Sequence, residues 1–480
     1  MRRMLLGGIA GVVTAAVVAC GVPTKPITLP PPPTPVPAGS AQQQESSAAG
    51  IGDPYFPRYG NAGYDVLDYD LAVKFTPATE EIAGVATITA TAKTDLSLFH
   101  LDFVGLAISE VTVNGAEASH RRDGEELIIE PKAKVARGST FTTKVGYAGR
   151  PDPVRTPVLG TIGVRSANGV SYVAGEPQSA STWFPVNDHP ADKALYKLAF
   201  TVPDGEDVVS NGTLAGKESK DGWTTWRWTV SSPMASYLAT FAIGDLRVTE
   251  STHKGKQVMI AVSDSISDRS VDAGVAKTTE ISDFFEPYFG PYPFDAYGAI
   301  VIDNPDMHFA LETQTRPIYA SSMVADGDPG GVVAHELAHQ WFGDSVSVRG
   351  WADIWLNEGF ATYAQWMWQE HSGGRKINDQ FEQQYRNELS PLWTTPPAEP
   401  GAGRIFSGSV YIRGGMALHA LRLKVGDDKF FSILKTWAAE KRDGNATTTE
   451  FVAVAERVSG QSLRALFTDW LYDKDRPAHP

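Results

Sequence analysis

Two regimes of hydrophobic patterning divide the 480-residue chain. From about residue 51 to 247, apolar and polar residues alternate in short runs such as "YDVLDYDLAVKF" (64–75), "GVATITATAK" (84–93), "TTKVGYAG" (142–149) and "WTTWRWTV" (223–230). A period of two sends successive side chains to opposite faces, which predicts half-buried strands. Asn114-Gly115, Asp123-Gly124 and Asn211-Gly212 supply turns between the runs. The pattern then changes. "DAGVAKTTEISDFFEPYFG" (272–290) has helical spacing, "YGAIVIDNP" (297–305) reads as a strand, and from Asp328 the chain is mainly helical. Asp328-Pro329 predicts a cap followed by proline at the first helical position, with that helix running to about Gly343. Asp353 is predicted to cap the next helix, "IWLNEGFATYAQWMWQE" (354–370). Four amphipathic segments follow: "VYIRGGMALHALRLKV" (410–425), "DKFFSILKTWAAEK" (428–441), "TTTEFVAVAERVSG" (447–460) and "SLRALFTDWLYD" (462–473). The expectation is an α+β protein, with a β domain over 51–247 and a mainly α domain over 248–480.

Composition narrows the function classes. Hydrophobic residues at 42% and aromatics at 10% suit a soluble globular body, and a formal charge of −14 argues against a nucleic-acid partner. The first twenty residues, "MRRMLLGGIAGVVTAAVVAC", place two arginines before an apolar run and a small residue before Cys20. That is the layout of a secretory signal, too short to span a membrane as a mature helix. "VVAC" resembles the bacterial lipobox, so 1–20 is expected to be a lipoprotein signal peptide with Cys20 lipidated. The protein is then expected to be exported and held on the outer face of the cell membrane. Residues 21–50 are Pro/Ser-rich with little to bury and read as a disordered linker. Cys20 is the only cysteine, which excludes an intramolecular disulfide and thiolate metal ligands.

The chemistry concentrates in "GGVVAHELAHQWFGDSVSVRGWADIWLNEGFATYAQW" (330–366). His335 and His339, four apart on a helix, share a face and can reach one ion. Glu336 projects beside them, and Glu358, nineteen residues past His339, offers a third ligand from the following helix. Two histidines and a glutamate plus water make the open zinc arrangement of a hydrolase. An H-E-x-x-H string alone recurs by chance. The helical context, the capped start, the placed second glutamate and the absence of competing cysteines separate this instance from chance. The other eight histidines form no comparable cluster. Nitrogen and oxygen ligands favour one zinc ion per chain over magnesium or calcium, with cobalt or manganese able to substitute.

"HELAHQWFGD" followed by "WADIWLNEGFATY", together with "FFEPYFGPYPF" (284–294) and "STWFPVNDHP" (181–190), resembles the gluzincin zinc aminopeptidases of the membrane alanyl aminopeptidase and leukotriene hydrolase type. The similarity covers most of residues 51–480. It implies a saddle-like N-terminal β-sheet domain, a thermolysin-like catalytic domain, and zinc-dependent removal of the N-terminal residue from peptides with a free N-terminus. Glu336 would be the base and Tyr411, in "VYIRGG", would steady the tetrahedral intermediate. "FALET" (309–313) corresponds to the family's glycine-x-methionine-glutamate-asparagine strand and makes Glu312 the ligand of the substrate ammonium. Phe309 stands there in place of the glycine and Thr313 in place of the asparagine. Glu176, in "AGEPQSASTWFP", corresponds to the second amine-binding residue. Family members usually continue into a large helical domain that roofs the site, whereas 69 residues follow Tyr411 here. The expectation is a short form with a more open cleft, tolerating longer peptides or relying on a second subunit; the sequence does not assign an oligomeric state. Glu370 and Asp353 are the carboxylates considered for orienting the histidines, neither assigned. Three alternatives stay open: a zinc endopeptidase, an epoxide hydrolase on the same fold, and a non-catalytic peptide-binding surface lipoprotein.

Overall fold

Alternation along the first half buries one face of each strand, as in Tyr64–Thr76, where Tyr64, Val66, Tyr69, Leu71, Val73 and Phe75 turn inward. The computed structural model describes residues 50–480. The expected signal peptide, Cys20 and nearly all of the linker lie outside the described residues.

An eight-stranded sheet runs in the order Thr213–Lys220, Trp223–Met234, Ala194–Pro203, Tyr64–Thr76, Glu81–Ala92, Thr140–Gly149, Ala107–Val113, Ala116–Glu117. Its neighbours are antiparallel except Tyr64–Thr76 with Ala194–Pro203, which pair in parallel with Asp68 opposite Leu195. A five-stranded sheet (Asp207–Ser210, Phe241–Gly244, Val170–Ala174, Gly160–Ala167, Val154–Thr156) packs against it. Phe75 and Phe200 of the large sheet meet Phe241 of the second with ring centroids 5.8 and 5.3 Å apart. Aromatic pairs at this spacing add to the burial of each ring.

The second half opens with another five-stranded sheet, Leu246–His253, Lys256–Ser263, Ala296–Ile302, Ile318–Ala320 and Ala310–Leu311. Helices then follow to the end of the chain. The helix predicted over 272–290 is two, Ser270–Val275 and Thr278–Phe289. The Thr278 hydroxyl donates to the Val275 carbonyl at 2.7 Å, satisfying an acceptor that a continuous helix would have used. The helix predicted over 328–343 is shorter, Val332–Ala338. Asp328 (φ 60°) and Gly331 (φ 72°) are left-handed and cannot be helical. Asp328 still caps, from four residues upstream, by accepting from the backbone N–H groups of Val332 and Val333 at 2.8 and 2.9 Å. Asp353 does not cap its own helix. Its carboxylate accepts from the Thr448 backbone and hydroxyl at 3.0 and 2.6 Å, and Trp355–His371 starts without a side-chain cap. Among the described residues no helix is long and apolar enough to cross a membrane.

The halves are joined beside the strand that leads to Glu312. Arg316, fully buried, donates to the carbonyls of Ser210 and Gly212. Asn211 donates to the carbonyls of Leu238 and Gln314 at 3.0 and 2.9 Å. A guanidinium buried this way must have its donors paired, so the joint is specific as well as tight.

Candidate active site

The Val332–Ala338 helix carries His335 and Glu336, and His339 closes its last turn. Glu358 lies in the first turn of Trp355–His371. Glu358 Oε2 stands 3.2 Å from His335 Nε2 and 3.4 Å from His339 Nε2. A tetrahedral zinc about 2.0–2.1 Å from each ligand sets ligand atoms roughly 3.3–3.4 Å apart, so the observed edges fit that ion. His339 Nδ1 donates to the Phe342 carbonyl at 3.0 Å, which leaves Nε2 for a metal and fixes the ring. Gln365 hydrogen-bonds His335 in the same supporting role. Neither carboxylate considered for that role reaches the histidines: Glu370 accepts from the Ile377 N–H, and Asp353 is held by Thr448. A backbone carbonyl and a glutamine side chain do the work, and neither leaves a mark in a one-dimensional search for acids.

Glu312 follows directly on the two-residue strand Ala310–Leu311. Tyr237 Oη donates to Glu312 Oε1 at 3.0 Å. Gln340, next to His339, donates to the Glu312 carbonyl at 3.0 Å and accepts from the Thr315 N–H at 2.7 Å. The distance between Glu312 and the metal-bearing helix is therefore set by hydrogen bonds from both sides. Glu176 is buried, and its Oε1 has no hydrogen-bond partner. The neighbouring Gly175 lies so close to the Tyr237 carbonyl that a Cβ there would stand 2.6 Å from it. Both candidate amine-binding carboxylates are thus organised around Tyr237, which lies in the apolar run "MASYLAT" and gives no sequence signal of its role.

Tyr411 sits in a π-helical turn, Ser409–Arg413, with its ring stacked on His335 at 5.9 Å and 16°. Two features hold it there. Arg413 is fully buried and donates to the carbonyls of Trp393, Asp469, Trp470 and Asp473 at 2.8–3.1 Å. Gly359, beside the ligand Glu358, meets Gly414 backbone to backbone: a Cβ at Gly359 would lie 2.9 Å from the Gly414 carbonyl carbon. The glycines of "NEGFA" and "YIRGG" are what let the Tyr411 turn approach the Glu358 helix.

Five carboxylates crowd this region, and their surroundings set them apart. Burial alone would raise Glu358, but the charge of His339 and the hydrogen bonds from both histidines hold it down at about 2. Burial pushes Glu336 well above the usual carboxylate range, with Glu312 and Glu358 adding to the rise. Glu176 is raised by burial and then by Glu312, and Asp344 by burial and then by Glu312. Glu312 is raised by burial against the opposing pull of His339 and the Tyr237 hydrogen bond. Burial, then Glu358, raises the Tyr411 hydroxyl, so it is a donor at neutral pH. One ionised ligand among proton-holding acids is the division of labour expected of a metal site with a general base.

Comparison with known proteins agrees with this geometry. The family model of the peptidase M1 N-terminal domain matches residues 66–238 and that of the peptidase family M1 domain matches 273–470. "Probable aminopeptidase 1" of Saccharolobus solfataricus is 28% identical over 403 residues, which is 79% of this chain and 50% of that protein. Glutamyl aminopeptidase of Sus scrofa is 28% identical over 319 residues, 62% of this chain and 34% of that one. The chain spans about half the length or less of these curated relatives. Among solved structures, an M1 zinc metallopeptidase from Deinococcus radiodurans, a variant bound to Tyr-Ser-Ala substrate, superposes with a TM-score of 0.80 at 27% identity. That match covers 90% of this chain and 98% of the other. A two-domain M1 zinc metallopeptidase variant bound to L-arginine matches equally well, with a TM-score of 0.80. With both family models matched in order along one chain, and His335, His339 and Glu358 brought together as a site that fits zinc, the protein belongs to peptidase family M1.

Proposed function

We propose that this protein is a zinc-dependent aminopeptidase that removes the N-terminal residue from peptides with a free amine. The observation that carries the reading is the placing of Glu312 and Glu176 beside Glu336 and the His335–His339–Glu358 triad. A carboxylate pair at that position favours an ammonium, and a substrate anchored there by its terminus offers its first peptide bond to the base. Bound zinc would polarise the scissile carbonyl and make water a competent nucleophile near neutral pH. Glu336 takes the proton of the attacking water on a carboxylate oxygen and returns it to the departing amide nitrogen. Tyr411 Oη donates to the carbonyl oxygen as negative charge develops there. The peptide ligand of the Deinococcus radiodurans protein and the names of the curated relatives support the same assignment. Lipidation of Cys20 and display on the outer face of the cell membrane belong to the proposal too. Their support is the sequence of residues 1–20.

The test is release of fluorophore from a panel of aminoacyl-coumarins, with and without a zinc chelator, beside Glu336→Ala. Chelator-sensitive release that is lost in the variant is the expected result, and the panel then reveals the preferred side chain. Cleavage of N-blocked peptides with no release from free-amine substrates would instead identify an endopeptidase.

A further inference from the structure

Two overlapping sets of buried donors share His339. The first is the His335–His339–Glu358 triad. The second brings ligand atoms of Glu312, Glu336 and His339 within 4.8 Å of one another, all three residues buried. Glu176 is buried in the same charged group, with Glu312 its strongest charged neighbour and with an unpartnered Oε1. We propose that this second set binds a further divalent cation, zinc in preference to calcium, and that the ion occupies the site only when no substrate amine does.

The argument is one of charge and donor geometry. A first ion on the triad is matched by Glu358. Glu176, Glu312, Glu336 and Asp344 remain, and among the described residues no Lys or Arg side chain pairs with any of their carboxylates. Lys193, the nearby ammonium, donates to the backbone carbonyls of Asp344 and Ser345 at 2.7 and 2.9 Å. Buried carboxylates without counter-charge must take protons or a cation. A substrate ammonium brings one positive charge, whereas a dication brings two and can be gripped by two carboxylates at once. His339 Nδ1 is committed to Phe342 and its Nε2 faces Glu358, so the second ion rests chiefly on Glu312 and Glu336, with Glu176 within its field. A donor set this small suits zinc; calcium calls for about six to eight oxygens. An ion there holds the lone pairs of the base and the place of the amine. Excess metal therefore inhibits, in competition with free-amine substrates. That consequence rests on the aminopeptidase reading; the site itself rests on the donor geometry.

The experiment is equilibrium dialysis of the holoenzyme against rising zinc, with bound metal quantified by atomic absorption. Binding should rise from one to two equivalents per chain, and saturating L-arginine amide should return it to one. Glu312→Gln should keep the first equivalent, which reports a folded site, and weaken the second about tenfold or more. In turnover, excess zinc should raise KM for a free-amine peptide with kcat unchanged. A single equivalent at every zinc concentration overturns the inference, as does a second equivalent indifferent to both the amine and Glu312→Gln. If peptides are hydrolysed while zinc stops at one equivalent, this inference fails alone. If the amine-sensitive second ion binds but no peptide is hydrolysed at any zinc concentration, the site stands and the aminopeptidase reading fails.

Discussion

Tyr237 Oη donates to Glu312 Oε1 at 3.0 Å, so a residue of the N-terminal half aims a carboxylate of the catalytic half. The Tyr237 ring is itself wedged against Trp351, centroids 5.6 Å apart, and is fully buried. Tyr237→Phe keeps that packing and removes only the donor. A hydrogen bond to a charged group contributes about 1.5–3 kcal/mol, so KM for free-amine substrates should rise about tenfold. The value of kcat should stay within about twofold, because Glu336 and Tyr411 are untouched. Steady-state kinetics on one aminoacyl-coumarin read both numbers, and an equal fall in kcat would show that Tyr237 acts on the chemistry itself.

Gly359→Ala sets helix propensity against packing. In an isolated helix alanine is favoured over glycine by about 1 kcal/mol. Here the added methyl meets backbone at 2.9 Å, which cannot swing aside as a side chain would. Overpacking of this kind costs about 1–3 kcal/mol, and the strain falls between Glu358 and the Tyr411 turn. The variant should melt below the wild type and lose about tenfold or more in kcat, since a displaced Tyr411 loses its aim. A higher melting temperature with undiminished activity would show that the two helices can part without consequence.

The triad, the base and the strand patterns were legible in the sequence because each leaves a local signature. Four-residue spacing put His335 and His339 on one face, and period two gave the buried face of Tyr64–Thr76. The glycines of "NEGFA" and "RGG" were visible, but not that they touch, because that contact joins residues 55 apart in sequence. The helix start near Asp328 was misplaced for a different reason. A capping carboxylate can act across a left-handed turn, and nothing in residue order shows the sign of φ at Asp328. Supporting groups such as Tyr237 and Gln340 were silent, since their partners come from other elements.

Metal removal should destabilise the fold as well as stop turnover. His335, His339 and Glu358 are buried around one point, and a ligand at a thousandfold its Kd stabilises the native state by about 4 kcal/mol. Chelation should therefore lower the thermal midpoint by several degrees, and added zinc should restore it. Glu358→Gln, which weakens the triad, should show a much smaller shift on chelation. Calorimetry of both proteins, with and without chelator, checks this; equal shifts would place the stabilising ion elsewhere.

Asp53 ties the start of the folded body to the wall behind Tyr237. Its Oδ2 accepts from the Trp351 N–H at 2.8 Å and lies 3.2 Å from His189 Nε2, while Oδ1 accepts from Tyr55 at 2.7 Å. Burial would raise its pKa, but His189 and these backbone donors outweigh it and hold the carboxyl at about 2, below its ordinary 3.8. A depressed folded-state value means that ionised Asp53 stabilises the native state above about pH 4, and that this contribution is lost as pH falls through about 2. Asp53→Asn removes the charge and keeps the shape. Discounted for solvent screening, the loss at pH 7 should be about 1 kcal/mol. Urea denaturation from pH 7 to pH 3 should show a constant gap between the two proteins at the upper end and a narrowing one below about pH 4. A gap of the same size throughout would mean that hydrogen bonding to Trp351 and Tyr55, which asparagine can partly supply, and not the charge, is what Asp53 provides.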